Sequence, residues 1–190
     1  RILNEIRDFF TFRPGQPGYG CGPRANDQWS WLEVYPQNKY VVRPDGSCEM
    51  VSVGVGQNAN DEQICAAFNS PDTYGRSYTH AHRFEQLTAD SYKYGYNVTE
   101  QWERALDIDP DHVFVTGWNE WIAGCFHSDT PQNMANTTAK FSYVDQFNCE
   151  FSRDGEPMRN QDGYGICSKT MMMLYPLMEA VRSGGDLENL

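Results

Sequence analysis

The sequence predicts an α/β fold of the (β/α)8 barrel type, and three observations predict it. Short apolar runs alternate with loops and helical patterns. Several of those runs end in polar or aromatic clusters, as they do where a barrel gathers its site loops at the carboxyl ends of its strands. The plainest run, "HVFVTGW" at 112–118, follows a "DIDPD" turn that no helix can cross at Pro110. A complete barrel takes ~250 residues. The 190 residues here therefore read as one partial barrel domain, 1–190, covering the C-terminal half to two-thirds.

The elements follow in order. "IRDFFTF" reads as a short strand, and the Gly- and Pro-rich "RPGQPGYGCGPRAND" after it as a long loop of the functional kind. "WSWLEVYPQ" reads as a second strand, with Glu33 among Trp31, Leu32 and Val34. A third runs from Met50 to Val55 and ends in polar Gln57, Asn58 and Asn60. Asn97 and Glu100 have capping-box spacing, and Val98, Trp102, Ala105 and Leu106 mark one face of the helix they begin. The run from His112 to Trp118 is apolar enough to be covered on both faces, with Gly117 ending it. Helices are expected near Phe141 to Phe151 and Ser168 to Arg182, Pro176 kinking the last or delaying its start.

Charge and composition narrow the function. Fifteen Lys and Arg against 26 Asp and Glu give a net charge of -11. That disfavours nucleic acid and anionic membranes as partners, and no apolar run approaches the ~20 residues of a membrane span. The six cysteines, Cys21, Cys48, Cys65, Cys125, Cys149 and Cys167, contain no CxxC pair, which argues against a zinc site and for disulfides; buried free thiols are the alternative. Asn97-Val98-Thr99 and Asn136-Thr137-Thr138 are N-glycosylation sequons. Cysteines and sequons together point to a secreted glycoprotein. A glycan on Asn97 would compete with its capping role.

The stretch "TGWNEWIAG" at 116–124 resembles the Trp-Asn-Glu-Trp strand end of glycoside hydrolase families 71 and 99. "FRPGQPGYGCGP", "WSWLEVYPQ", "SVGVGQNAN" and "VDQFNCEFSRDGEPM" resemble further blocks of related proteins, in the same order from Phe12 to Met158. The resemblance implies a (β/α)8 barrel acting on a polysaccharide or glycan. No cofactor is expected, and a partial barrel has the rest of the barrel or other chains as candidate partners.

The residues support that chemistry. Glycoside hydrolysis sets two carboxyl groups across the scissile bond, and Glu120 and Glu33 are the catalytic candidates because each stands late in an apolar, Trp-containing run. For Glu33 the alternative is a salt bridge to an arginine such as Arg13. Asn119 is placed to bond a sugar hydroxyl, or else to tether its loop. Trp118, Trp121, Trp31 and Tyr35 offer rings for a sugar's apolar face, with Trp29 and Tyr74 as further platforms, and Gln57, Asn58 and Arg76 offer polar contacts. His80 and His82 lack a third metal ligand, and Asp107, Asp109 and Asp111 lack the rest of a calcium loop, so no metal is expected. Two functions stand: a secreted glycoside hydrolase, or a barrel-derived glycan-binding or extracellular structural module without catalysis.

Overall fold

A computed structural model describes residues 2–16, 18, 22–57, 59–60, 66–83, 88–117, 124–127, 139–153 and 155. Within them lie a helix α1 (Ile2–Phe9), strands β1 (Tyr40–Val42) and β2 (Cys48–Gly54), a 3-10 turn at Ser91–Lys93, a helix α2 (Tyr96–Ile108), and strands β3 (His112–Thr116), β4 (Cys125–His127) and β5 (Phe141–Tyr143). One sheet has the order β1-β2-β3, and β4-β5 form a separate antiparallel pair.

The centre is a single β–α–β unit. β2 and β3 run parallel, with Met50 opposite His112 and Gly54 opposite Thr116. Val51, Val53 and Val55 turn one face of β2 toward Val98, Trp102, Ala105 and Ile108 of α2, and Val113 and Val115 of β3 pack against the same cluster. Period two on the strand meets period 3.6 on the helix, and each buried valine contributes about 1.5–3 kcal/mol. Leu106, expected on the same helical face, is half-buried at its margin.

The barrel expectation is overturned. Among the described residues β2 and β3 are the one parallel pair; β1 joins β2 antiparallel, and nothing closes into a ring. One β–α–β unit produces the local pattern of a barrel strand pair without the repetition that makes a barrel. The first expected strand, 6–12, is instead the end of helix α1 followed by irregular chain, since Ile2, Leu3, Ile6 and Phe9 recur at helical spacing. Residues 29–37 form no strand. The Ser30 hydroxyl bonds the Leu32 carbonyl instead of leaving the backbone to a ladder, and Pro36 has no N–H to give one. Residues 141–151 are not helical either: after β5, Asn148 Oδ1 accepts the N–H groups of Glu150 and Phe151 in a turn. β3 is covered on one face only, with Phe114 42% exposed on the other. The helix expected at Ser168 to Arg182 lies outside the described residues.

Buried amides join the helix to the strand. α2 starts at Tyr96 behind the N-cap Gly95, so Asn97 sits inside the helix and not at its cap. Its Nδ2 donates to the Tyr78 carbonyl (3.0 Å) and its Oδ1 accepts from Gln101 Nε2 (2.7 Å). Gln101 also donates to the Gly54 carbonyl (2.8 Å), while its Oε1 accepts from Gly54 N (2.9 Å) and Gln37 Nε2 (3.1 Å).

Cys48, Cys125 and Cys149, expected in disulfides, are free thiols: Cys48 is packed into the apolar cluster at the start of β2, and Cys125 is exposed opposite Tyr143 in the β4-β5 pair. Cys21, Cys65 and Cys167 lie outside the described residues. No helix among the described residues is long and apolar enough to cross a membrane.

Gln101→Ala removes the bonds to Gly54, Asn97 and Gln37 at once, and about 2–4 kcal/mol of stability should go with them. A urea melt with an unchanged slope and a lower midpoint is the expected reading. Asn97 is fully buried with both ends of its amide bonded, so peptide mapping of the folded chain should find it without glycan. Asn136, the other sequon, lies outside the described residues.

Candidate functional site

The carboxyl ends of β2 and β3 emerge side by side at Gly54 and Thr116. Gly117 turns the chain there with φ of 73°, and its carbonyl accepts Gly155 N at 2.6 Å. A Cβ at this position would lie 2.6 Å from the Arg153 carbonyl oxygen, so glycine is required. Trp118, Asn119, Glu120 and Trp121 follow, and with Asn58 they lie outside the described residues.

The segment 29–37 runs along β2 and is fastened to it by side chains. Ser52 Oγ donates to the Trp31 carbonyl (3.2 Å). Just beyond β2, Gln57 Nε2 donates to the Glu33 carbonyl (2.9 Å) and Gln57 Oε1 accepts Tyr35 N (3.3 Å). Glu33 is thereby held at the strand end, and it is 7% exposed. Tyr40 Oη donates to one carboxyl oxygen at 2.5 Å and Asn38 Nδ2 to the other at 3.1 Å. Burial pushes the Glu33 pKa above its ordinary 4.5; the bonds from Tyr40, Asn38 and the Val34 N–H oppose the rise without cancelling it. The salt bridge considered for Glu33 does not form. Arg13 pairs with Glu49, Nε to Oε1 at 2.9 Å and Nη2 to Oε2 at 2.6 Å.

Two rings flank this carboxyl in sequence. Trp31 is 40% exposed, with the Arg153 guanidinium 5.6 Å from its ring centre. Arg153 is ion-paired to buried Asp145. Tyr35 lies 4.6 Å, centroid to centroid, from the His80 ring. Glu100 in turn accepts the His80 backbone N–H (2.7 Å) and lies 3.1 Å from Nδ1.

Glu33, Tyr35 and Gln57 are therefore tied together in a cluster at the strand end, with Trp31 fastened one step back at Ser52. Gln57 serves it as a clamp, being buried and bonded to backbone on both ends of its amide. Arg76 does not join the cluster. It is 1% exposed and its guanidinium donates to Ser152, to the carbonyl at 3.0 Å and to Oγ at 3.1 Å. Tyr74 is core as well, stacked on Tyr78 at 3.6 Å. The residues that sequence reasoning missed are Tyr40, Asn38 and Arg153, together with the His80–Glu100 pairing. None has a spacing that announces it, because Tyr40 lies in β1, Glu100 in α2 and Arg153 far along the chain. Among the described residues no group of three His, Cys, Asp or Glu side chains could hold a metal ion.

The cluster offers a carboxyl whose pKa burial raises, bonded by Tyr40 and Asn38, and a partly exposed indole. No family model, curated protein or solved structure matches the chain.

A carboxyl whose pKa is raised on folding contributes fully to stability below its ordinary value and loses that contribution as pH rises through the raised one. The parent should therefore lose stability as pH climbs above about 4.5, whereas Glu33→Gln should lack this component. Urea midpoints measured across that range should move in favour of the variant as pH increases. A difference independent of pH would show that Glu33 is not held above its ordinary pKa.

Proposed function

We propose that the protein is a secreted glycoside hydrolase-like protein that acts on a polysaccharide or glycan, with Glu33 as proton donor. The observation that carries this reading is the buried Glu33 carboxyl, bonded by Tyr40 and Asn38, held above its ordinary pKa, and two residues along the chain from exposed Trp31. Hydrolysis needs an acid that still holds its proton where an ordinary carboxyl has lost it. In this reading Glu33 gives its proton to the glycosidic oxygen as the C–O bond breaks. Glu120 supplies the second carboxylate, as nucleophile or as the base that takes a proton from water. Trp31 receives the apolar face of a sugar ring, and Asn119, Trp118 and Trp121 extend the contact. The Trp-Asn-Glu-Trp resemblance supports Glu120 in that role, and the sequon at Asn136 supports secretion. Net acidity favours a neutral glycan over a polyanion.

A second reading, glycan binding without turnover, is favoured by one feature: both Glu33 oxygens already have protein partners. Reducing-end release and binding, measured together over a panel of neutral and sulfated polysaccharides, separate the two. The hydrolase reading expects release from a neutral polymer. Glu33→Gln and Glu120→Gln should each lower it about 10²–10⁴-fold, with the parent rate falling as pH rises through the Glu33 pKa. Binding with no release selects the second reading, and neither binding nor release removes both.

A further inference from the structure

At the amino-terminal ends of the same two strands lies a cleft of about 400 Å³, lined by Thr11, Arg13, Trp29, Glu49, Asp111 and His112. Glu49 is the second residue of β2 and His112 the first of β3. Four steps of about 3.3 Å along β3 therefore separate this cleft from the Thr116 end. It is a distinct place from the Glu33 cluster.

Its chemistry is specific. Arg13 grips Glu49 through two parallel bonds, and Trp29 Nε1 donates to the same carboxylate at 2.7 Å. This fixes the indole with its ring 5.9 Å from the His112 ring. On the other side Asp111 is ion-paired to Arg43. Each carboxylate in the lining thus has its own arginine. A free anion would meet Glu49 and Asp111, and a free cation would compete with guanidinium groups already in place. Fixed donors and acceptors remain useful to a ligand that has both. A guanidinium has five N–H donors, of which Glu49 takes two, an imidazole both donates and accepts, and a threonine hydroxyl does the same. With an indole in one wall and a volume in the range of small-molecule sites, the cleft matches an uncharged ring bearing many hydroxyls.

We infer that this cleft is a second carbohydrate-binding site, one that takes a neutral sugar ring against Trp29 with hydroxyls toward Arg13, His112 and Thr11. It extends the glycan reading to a site that needs no carboxyl chemistry and holds the polymer apart from the Glu33 cluster.

The test is titration of the full chain with cellotriose, mannotriose and maltotriose, following the Trp29 indole N–H resonance by NMR. At least one trisaccharide should move that resonance, with about millimolar affinity. Thr11→Trp puts an indole into the cleft while leaving Arg13, Glu49 and Trp29 unsubstituted, and should weaken binding tenfold or more. Glu33→Gln should bind as the parent does. The inference is overturned if no trisaccharide moves the Trp29 resonance, or if Thr11→Trp binds as tightly as the parent. The two proposals fail separately. Hydrolysis without a Trp29 response sinks the second site alone, and a Trp29 response without hydrolysis sinks the hydrolase reading alone.

Discussion

The amide of Gln101 is the constraint on which the rest of this structure depends. Among the described residues β1 pairs with β2 at Cys48 and Met50 and not beyond, so Gly54 has no partner in β1. An unpaired N–H and C=O buried there would cost about 1–3 kcal/mol each. Gln101 closes both at Gly54, from a helix rather than from a strand. Its remaining bonds reach Asn97 in its own helix and Gln37 in the segment that bears Glu33. One side chain therefore sets where pairing stops, how α2 seats on the sheet, and where the 29–37 segment is anchored.

That arrangement explains how a carboxyl comes to be buried without an arginine. A strand at 29–37 would have fixed Glu33 by alternation, toward one layer or the other. A segment fastened by Ser52, Gln57 and Gln37 has no such obligation, and Glu33 turns to the Tyr40 hydroxyl and the Asn38 amide. Neutral donors satisfy a carboxylate's lone pairs but do not compensate its charge, so desolvation prevails and the pKa rises. An arginine in the same position would have reversed the sign. The nearest test of that statement is within the molecule. Glu49, gripped by Arg13 and bonded by Trp29, has its pKa lowered.

The parts of the fold legible in the sequence are those whose periodicity is local. β2 and β3 were readable from their valines, and α2 from Val98, Trp102 and Ala105, to within a residue or two at each end. α1 is hidden because the aromatic "FFTF" suggests a strand, although Ile2, Leu3, Ile6 and Phe9 keep helical spacing. The barrel was an extrapolation from one β–α–β unit, and an antiparallel β1 ends it. Glu33 stood out as an ionisable group in apolar company; its partners did not, because a turn brings them back to it. Arg76 and Asn97 were misjudged for a single reason. A polar residue in a loop or at a helix start looks available in sequence, yet both are buried as ties between segments far apart in the chain.

The two ends of the β2–β3 pair carry opposite electrostatic solutions, and the difference follows from what covers them. At the carboxyl end the covering segment brings a glutamate and no cation to it, which makes proton affinity the adjustable property of that place. At the amino end Arg13 and Arg43 arrive from outside the sheet to meet Glu49 and Asp111. There the charges cancel in pairs and proton affinity is fixed low. A site that moves a proton is suited to the first environment and a site that only holds a neutral ligand to the second. Exchanging them would not work: a carboxyl gripped by arginine gives up its proton too readily to serve as an acid, and an unpaired buried carboxyl would make a passive binding cleft sensitive to pH.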